Sequence, residues 1–295
     1  MSCTGALCQR IEGPHGRPLW SGLAMRSDVG APTPATAGQE RSGRAVSITL
    51  VKPFVQIATR PEDDVAATER AAVLDFTGLA EDELIWARLD RDPFPDLRAE
   101  DISGIILCGS PFTVSDPVPD KSAEQVRAEK EIFRVLDQVV EHDIPFLGAC
   151  YGIGTLGTHQ GALVDKVYGE PLGAVEVTLT DAGQQDPLIC EAQLPHTFTG
   201  LVGHKEAVNT LPQHATVLAS GKVSPVQMFR VGTRQYATQF HPELDVPSII
   251  ERARAYRDHG YFSPDEMEDV FAALEHEVAD QPPRLLRAFA TLFAR

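Results

Sequence analysis

Ile144-Pro145-Phe146-Leu147-Gly148-Ala149-Cys150-Tyr151-Gly152-Ile153-Gly154 is the stretch from which the fold of this chain is read. Its first four residues form a short apolar run, read as a buried strand, and the segment from Ile153 to Gln160 is compatible with a helix start. Between them stands a Gly-x-nucleophile-x-Gly pattern, the signature of a sharp strand-to-helix elbow. Side chains at the two glycines would clash with the neighbouring strand and helix. The N-terminus of the following helix favours a thiolate over a thiol at Cys150. The competing reading is a buried cysteine in an apolar run, and these residues alone leave both open.

A second segment bears on that choice. Tyr236-Ala237-Thr238-Gln239-Phe240-His241-Pro242-Glu243 alternates like a strand until Pro242 ends it. His241 and Glu243 then share a strand end, where a carboxylate can orient an imidazole. Such an imidazole accepts a thiol proton and later returns it to a leaving amine. A strand-end histidine is by itself more often structural. In the order nucleophile, His, Glu, the two segments support each other as Cys150, His241 and Glu243.

These residues carry a resemblance. The chain resembles the class I glutamine amidotransferases, and within them the amidotransferase domain of GMP synthases and free-standing proteins similar to it. Gly104-Ile105-Ile106-Leu107-Cys108-Gly109-Ser110-Pro111 is similar to the family's oxyanion-loop block. Phe146 to Gly152 is similar to its nucleophile block, and Gln239-Phe240-His241-Pro242-Glu243 to its His/Glu block. Val202-Gly203-His204-Lys205-Glu206-Ala207-Val208 resembles the substrate-side segment. Together they span roughly residues 46–246. The resemblance implies a cysteine hydrolase that attacks a carboxamide, forms a γ-glutamyl thioester and releases ammonia, with no cofactor. It implies catalytic roles for Cys150, His241 and Glu243, and substrate contacts around Gly154, Gly203, His204 and Lys205. Backbone N–H groups at Gly109, Ser110 and Tyr151 are the candidate oxyanion donors, each worth about 3 kcal/mol of barrier.

Two positions depart from the family. Gly-Ser-Pro at 109–111 replaces the usual Gly-Gly-Pro. Gly154 stands where many members carry a substrate-holding glutamine, four residues after the nucleophile. That change predicts vacated room, which a γ-glutamyl compound larger than glutamine would use. Lys205 and Glu206 are candidates for the substrate entrance, against the plainer reading of a solvated loop. Cys108 is expected to be a small core residue.

The rest of the chain fits an α/β protein, an open and mostly parallel sheet flanked by helices. At 295 residues and 43% hydrophobic content it can hold a substantial core. A net charge of −16 argues against nucleic acid or an anionic membrane surface as partner. No apolar run is long enough to cross a bilayer. Five cysteines without a paired spacing and nine scattered histidines predict neither a disulfide framework nor a metal site. A reducing cytoplasm is the expected setting. Residues 1–44 hold five arginines against three acids and no sustained periodicity, so a disordered tail is expected, with an over-extended start one explanation and organelle targeting another.

From residue 46 the pattern alternates. Strands are expected within 46–57, 85–89 and 105–108. A helix opens after Pro61, with Val65, Ala72, Val73 and Phe76 inward. Ser122 with Gln125 forms a capping box for a helix whose inner face is Ile132, Phe133, Leu136, Val139 and Val140. Shorter β segments follow over 174–240. Residues 247–295 read as a helical extension packing on the main domain. Ser263-Pro264-Asp265-Glu266 opens one of its helices, and Leu285, Leu286, Phe289, Leu292 and Phe293 line the last.

No Gly-x-x-x-x-Gly-Lys-Ser/Thr loop occurs, so the acceptor site of any synthase is expected on a separate chain. Three functions follow: an ammonia-releasing amidotransferase subunit, a stand-alone γ-glutamyl hydrolase or peptidase, and a catalytically silent binding protein. The intact Cys150, His241 and Glu243 disfavour the last.

Overall fold

A computed structural model describes residues 51–256 and 267–295. The N-terminal tail and the helix opening at 263–266 lie outside those residues.

The strands are β1 (Phe54–Ala58), β2 (Leu84–Arg88), β3 (Gly104–Leu107), β4 (Phe146–Ala149), β5 (Leu163–Asp165), β6 (Glu170–Leu179), β7 (Thr197–His204), β8 (Ala207–Thr210), β9 (Ala215–Gly221), β10 (Met228–Val231) and β11 (Gln235–Thr238). The helices are α1 (Asp63–Thr77), α2 (Ala123–Glu141), α3 (Tyr151–His159), the short α4 (Asp181–Gln184) and α5 (Pro187–Ala192), then α6 (Val246–Ala255), α7 (Met267–Leu274) and α8 (Arg284–Phe293).

Nine strands form one sheet in the order β2-β1-β3-β4-β11-β10-β9-β6-β7. From β2 to β11 the neighbours run parallel, and beyond β11 each pairs antiparallel with the next. The parallel half is covered on both faces, which is why β1, β3, β4 and β11 are buried throughout and read as near-continuous apolar runs. One face packs Phe54, Leu147 and Tyr236 under Val73 of α1 and Phe289 of α8. The other packs Ile57, Ile105 and Phe146 under Ile132 and Leu136 of α2 and Leu156 of α3. A third cluster joins Leu201 and Leu244 to Ile249 and Ala253 of α6 and Phe271 of α7.

The order β2-β1-β3 reverses direction at β1, and the carboxyl ends of strands beside such a switch point form a crevice. Arg60, Gly109, Cys150 and His241 all stand just past the carboxyl ends of β1, β3, β4 and β11.

The helix phases differ in detail from the sequence expectation. The buried line of α1 is Ala66, Glu69, Val73 and Thr77, whereas Val65, Ala72 and Phe76 are half-buried flanks. The phase is rotated because α1 directs Glu69 inward to buried arginines rather than presenting only apolar residues. The Ser122 cap is present, its Oγ accepting from the Gln125 N–H at 3.1 Å. The inner face of α2 is Ile132, Val135, Leu136 and Val139, and Val140 falls beyond its edge in solvent. In α8, Leu292 likewise points outward, since Phe289 and Ala288 already fill the space over α1 and α5.

Candidate active site

Cys150 occupies a backbone conformation of φ 49°, ψ −85°, between the end of β4 and the first residue of α3. Non-glycine residues in such regions cost about 1–3 kcal/mol and persist only where the surroundings enforce them. Two observations supply the enforcement. The Cys150 N–H donates to the Thr238 carbonyl at 2.8 Å, so the β4–β11 ladder continues through it. A Cβ at Gly148 would lie 2.8 Å from the Gly152 Cα, so strand and helix meet backbone to backbone around the elbow. The thiol is thereby presented at the N-terminus of α3.

β11 delivers His241 beside it. The His241 N–H donates to the Leu201 carbonyl at 2.9 Å, and its Nδ1 meets Glu243 Oε1 at 2.7 Å. With Nδ1–H directed at a carboxylate, Nε2 is the nitrogen left for the thiol. Burial alone would push the His241 pKa down. The charges of Glu243 and then Cys150, with hydrogen bonds to both, outweigh it and hold His241 at about 9. Burial opposes ionisation of Glu243 too, but His241 and then Arg252 bring it down to about 2. The arrangement favours an imidazolium between two anions, the form that accompanies a thiolate.

Behind this trio lies a buried ionic chain. Arg252 Nη1 reaches Glu243 Oε1 at 3.3 Å, and its Nη2 reaches Glu69 Oε1 at 3.2 Å. Arg60 Nε donates to the same Glu69 oxygen at 2.8 Å. The Arg60 guanidinium also lies over the Tyr256 ring, 5.4 Å from its centroid, and Tyr256 Oη donates to Glu62 at 2.6 Å. Sequence reasoning missed Arg60, Glu69, Arg252 and Tyr256. They come from the end of β1, from α1 and from α6, and no local motif marks them.

The oxyanion candidates converge on the same point. A Cβ at Gly109 would sit 2.8 Å from His241 Cε1, so the turn presses directly on the imidazole. Ser110 Oγ accepts from the Phe112 N–H at 3.1 Å and tightens the turn. Tyr151 is the first residue of α3, where N–H groups have no intrahelical acceptor. Its hydroxyl donates to Glu129 at 3.2 Å, and Lys121 Nζ joins Glu129 at 2.6 Å and the Val114 carbonyl at 2.8 Å. These contacts hold the loop after the turn against α2 and α3.

Around Gly154 the expected vacant room is absent. A Cβ there would lie 3.0 Å from both Glu206 Oε1 and Val114 Cγ1. Glu206 enters from the β7–β8 connection and accepts the N–H groups of Val114 at 2.8 Å and Ser115 at 2.7 Å. Its carboxylate fills space a larger residue at 154 would need, and burial pushes its pKa up against those donors. The plainer reading of Glu206 as a solvated loop residue fails for the same reason. His204 is turned into the protein: Nδ1 meets the Glu206 carbonyl at 2.8 Å and Nε2 meets Glu170 at 3.0 Å. Lys205 is exposed, and Gly203 lies beside Cys150. Cys108 is a buried core residue, hydrogen-bonded by Gln56 Nε2 at 3.4 Å.

Two open clefts meet at Ser110, Cys150 and Gly203. The first, about 380 Å³, is lined by Thr113, Tyr151, Gly154, His204, Lys205 and Glu206 among others. The second, about 450 Å³, has Leu172, Leu244, Ile249, Ala253 and Tyr256 in its wall. Arg60, Arg252 and His241 also line this second cleft.

Comparison with known proteins follows the geometry. The profile of the glutamine amidotransferase class-I family matches residues 84–247. The chain is 29% identical over 188 residues to a GMP synthase (glutamine-hydrolyzing) of Borreliella burgdorferi, covering 60% of this chain and 33% of that protein. The GMP synthase of Porphyromonas gingivalis strain ATCC 33277 matches at 29% over 186 residues, with the same coverage. The chain thus spans about a third of the length of these relatives. In fold it is similar to a glutamine amidotransferase of Thermotoga maritima, with a TM-score of 0.64 at 18% identity, covering 82% of this chain and 98% of that one.

Proposed function

This chain belongs to the class-I glutamine amidotransferase family, and from that premise we propose that it hydrolyses the carboxamide of glutamine through a γ-glutamyl thioester. The observation that carries the reading is the placement of Cys150 at the strained elbow with His241, itself held by Glu243 at 2.7 Å. Cys150 attacks the amide carbon. His241 Nε2 takes the thiol proton and passes it to the departing nitrogen, while Glu243 keeps the imidazole in the right tautomer. The oxyanion is received by the Tyr151 N–H and the Gly109-Ser110 turn. Water then attacks the thioester, with His241 as its base, releasing glutamate and restoring the thiol.

On the same reading the ammonia serves an acceptor synthase carried on another chain. A thiolate nucleophile suits a reducing compartment, so the cytoplasm is the proposed setting. Among the described residues no helix is long and apolar enough to cross a membrane.

The test is glutamate and ammonia release from L-glutamine by the purified protein beside Cys150→Ala. Equimolar release that disappears in the alanine variant is expected. Release that survives the substitution would exclude Cys150 as nucleophile.

A further inference from the structure

The two clefts that meet at Cys150 differ in chemistry, and their positions relative to the catalytic groups assign each to one half of a substrate. This assignment rests on the thioester reading above. His241 must deliver a proton to the nitrogen that leaves, so that nitrogen faces His241 when the tetrahedral intermediate collapses. His241 lines the second cleft and not the first. Tyr151, whose N–H is an oxyanion donor, lines the first and not the second. The acyl half therefore extends into the first cleft. There the buried Glu206 carboxylate and the exposed Lys205 supply opposite charges for an α-ammonium and an α-carboxylate. Any substituent on the departing nitrogen extends into the second.

The second cleft is built to receive something other than water. Leu172, Leu244, Ile249 and Ala253 present aliphatic carbon, and the Tyr256 ring closes one side. Two guanidiniums also reach it, but their charge is matched. Arg60 is paired with Glu69, and Arg252 with Glu69 and Glu243, so two cations face two buried carboxylates. A leaving group carrying its own carboxylate, as in a γ-glutamyl peptide, finds no spare positive charge there to offset its desolvation. A neutral apolar group gains by contact with the aliphatic wall. Ile249, Arg252, Ala253 and Tyr256 lie after residue 247, so this wall is built largely outside the segment that matches the family profile.

We propose that the second cleft is a leaving-group site for apolar amines, so that the enzyme cleaves N-alkyl and N-aryl γ-glutamyl amides as well as glutamine. In the first step the Cys150 Sγ–C bond forms and the C–N bond breaks, with the proton passing from the thiol through His241 to the amine. In the second, water opens the thioester and its proton returns through His241 to Sγ. The products are glutamate and the free amine, and no co-reactant other than water is consumed.

The experiment compares kcat/KM for L-glutamine, γ-glutamyl-n-butylamide and γ-glutamylglycine, read as glutamate released. A value for the butylamide at or above that for glutamine, and at least tenfold above that for γ-glutamylglycine, is expected. Glutamine cleaved faster than the butylamide overturns the proposal while leaving the thioester reading intact. Glutamate from none of the three, by folded protein, removes the thioester reading and the proposal with it. Ala253→Asp places a charge in the aliphatic wall and is expected to lower the butylamide-to-glutamine ratio at least tenfold. An unchanged ratio in a folded variant argues that the amine side lies elsewhere.

Discussion

Two residues apart in sequence, His241 and Glu243 titrate as a couple whose consequences can be signed. His241 is raised from 6.5 to about 9, so its stabilising contribution is complete below about 6.5 and is lost as pH rises through about 9. Glu243 is lowered from 4.5 to about 2, so its contribution is complete above about 4.5 and is lost as pH falls through about 2. The couple is therefore fully stabilising only between the two ordinary values. Glu243→Gln should abolish most of the loss in urea midpoint between pH 6 and pH 9 that the parent protein shows. It should also lower kcat by on the order of 10²–10⁴-fold. An equal pH dependence in both proteins would contradict the coupling. The closeness of His241 and Glu243 is legible in sequence because the interval is short and Pro242 fixes the turn. Glu69 is not legible in that way. A glutamate in the middle of α1 reads as solvent-facing until Arg60 and Arg252, from two other elements, are known to surround it.

Among the elements, α6 has the widest influence for its length. Its Asp245 cap accepts from Ser248 at 2.9 Å, and its Arg252 is the sole direct link printed between Glu243 and Glu69 among the described side chains. Arg252→Met leaves two buried carboxylates with one guanidinium and the imidazole. Breaking a buried pair from one side costs about 3–5 kcal/mol. With Arg252 no longer sharing Glu243, His241 should titrate still higher, moving the acid limb of the kcat/KM profile upward in pH. Lys at 252 should recover part of both effects. A loss of stability without movement of that limb would mark Arg252 as structural only. The boundaries of α2 and of the strand before Cys150 follow from local signals, a capping serine and an apolar run. The strand order β10-β9-β6-β7 does not, since antiparallel partners separated by loops are chosen by packing rather than by adjacent residues.

At the scale of the molecule, the last helix belongs to the same packing as the first strand. Phe289 of α8 is fully buried, with its ring centroid 5.9 Å from that of Phe54 and 5.0 Å from that of Phe293. Phe289→Ala should cost about 3–5 kcal/mol and lower Tm by on the order of 10 °C. A shift under about 2 °C in thermal unfolding would mean that α8 is dispensable to the core. The α/β class and the parallel half of the sheet are legible because apolar runs alternate with amphipathic helices. The antiparallel half is less so, because its strands, such as β6 with its mixed burial, carry no uniform period.

One feature of the sheet has a consequence in time. β11 is inserted between β4 and β10, with Gln235 beside Phe146 and Thr238 beside Ala149. As the polypeptide leaves the ribosome at about 5–20 residues per second, the segment bearing the thiol emerges several seconds before the segment bearing its base. In that interval Cys150 lacks His241, Glu243 and the Thr238 carbonyl that holds its backbone at the elbow. The nascent chain thus carries a dormant cysteine, and the reactive one is created only when the late strand docks into the centre of the sheet.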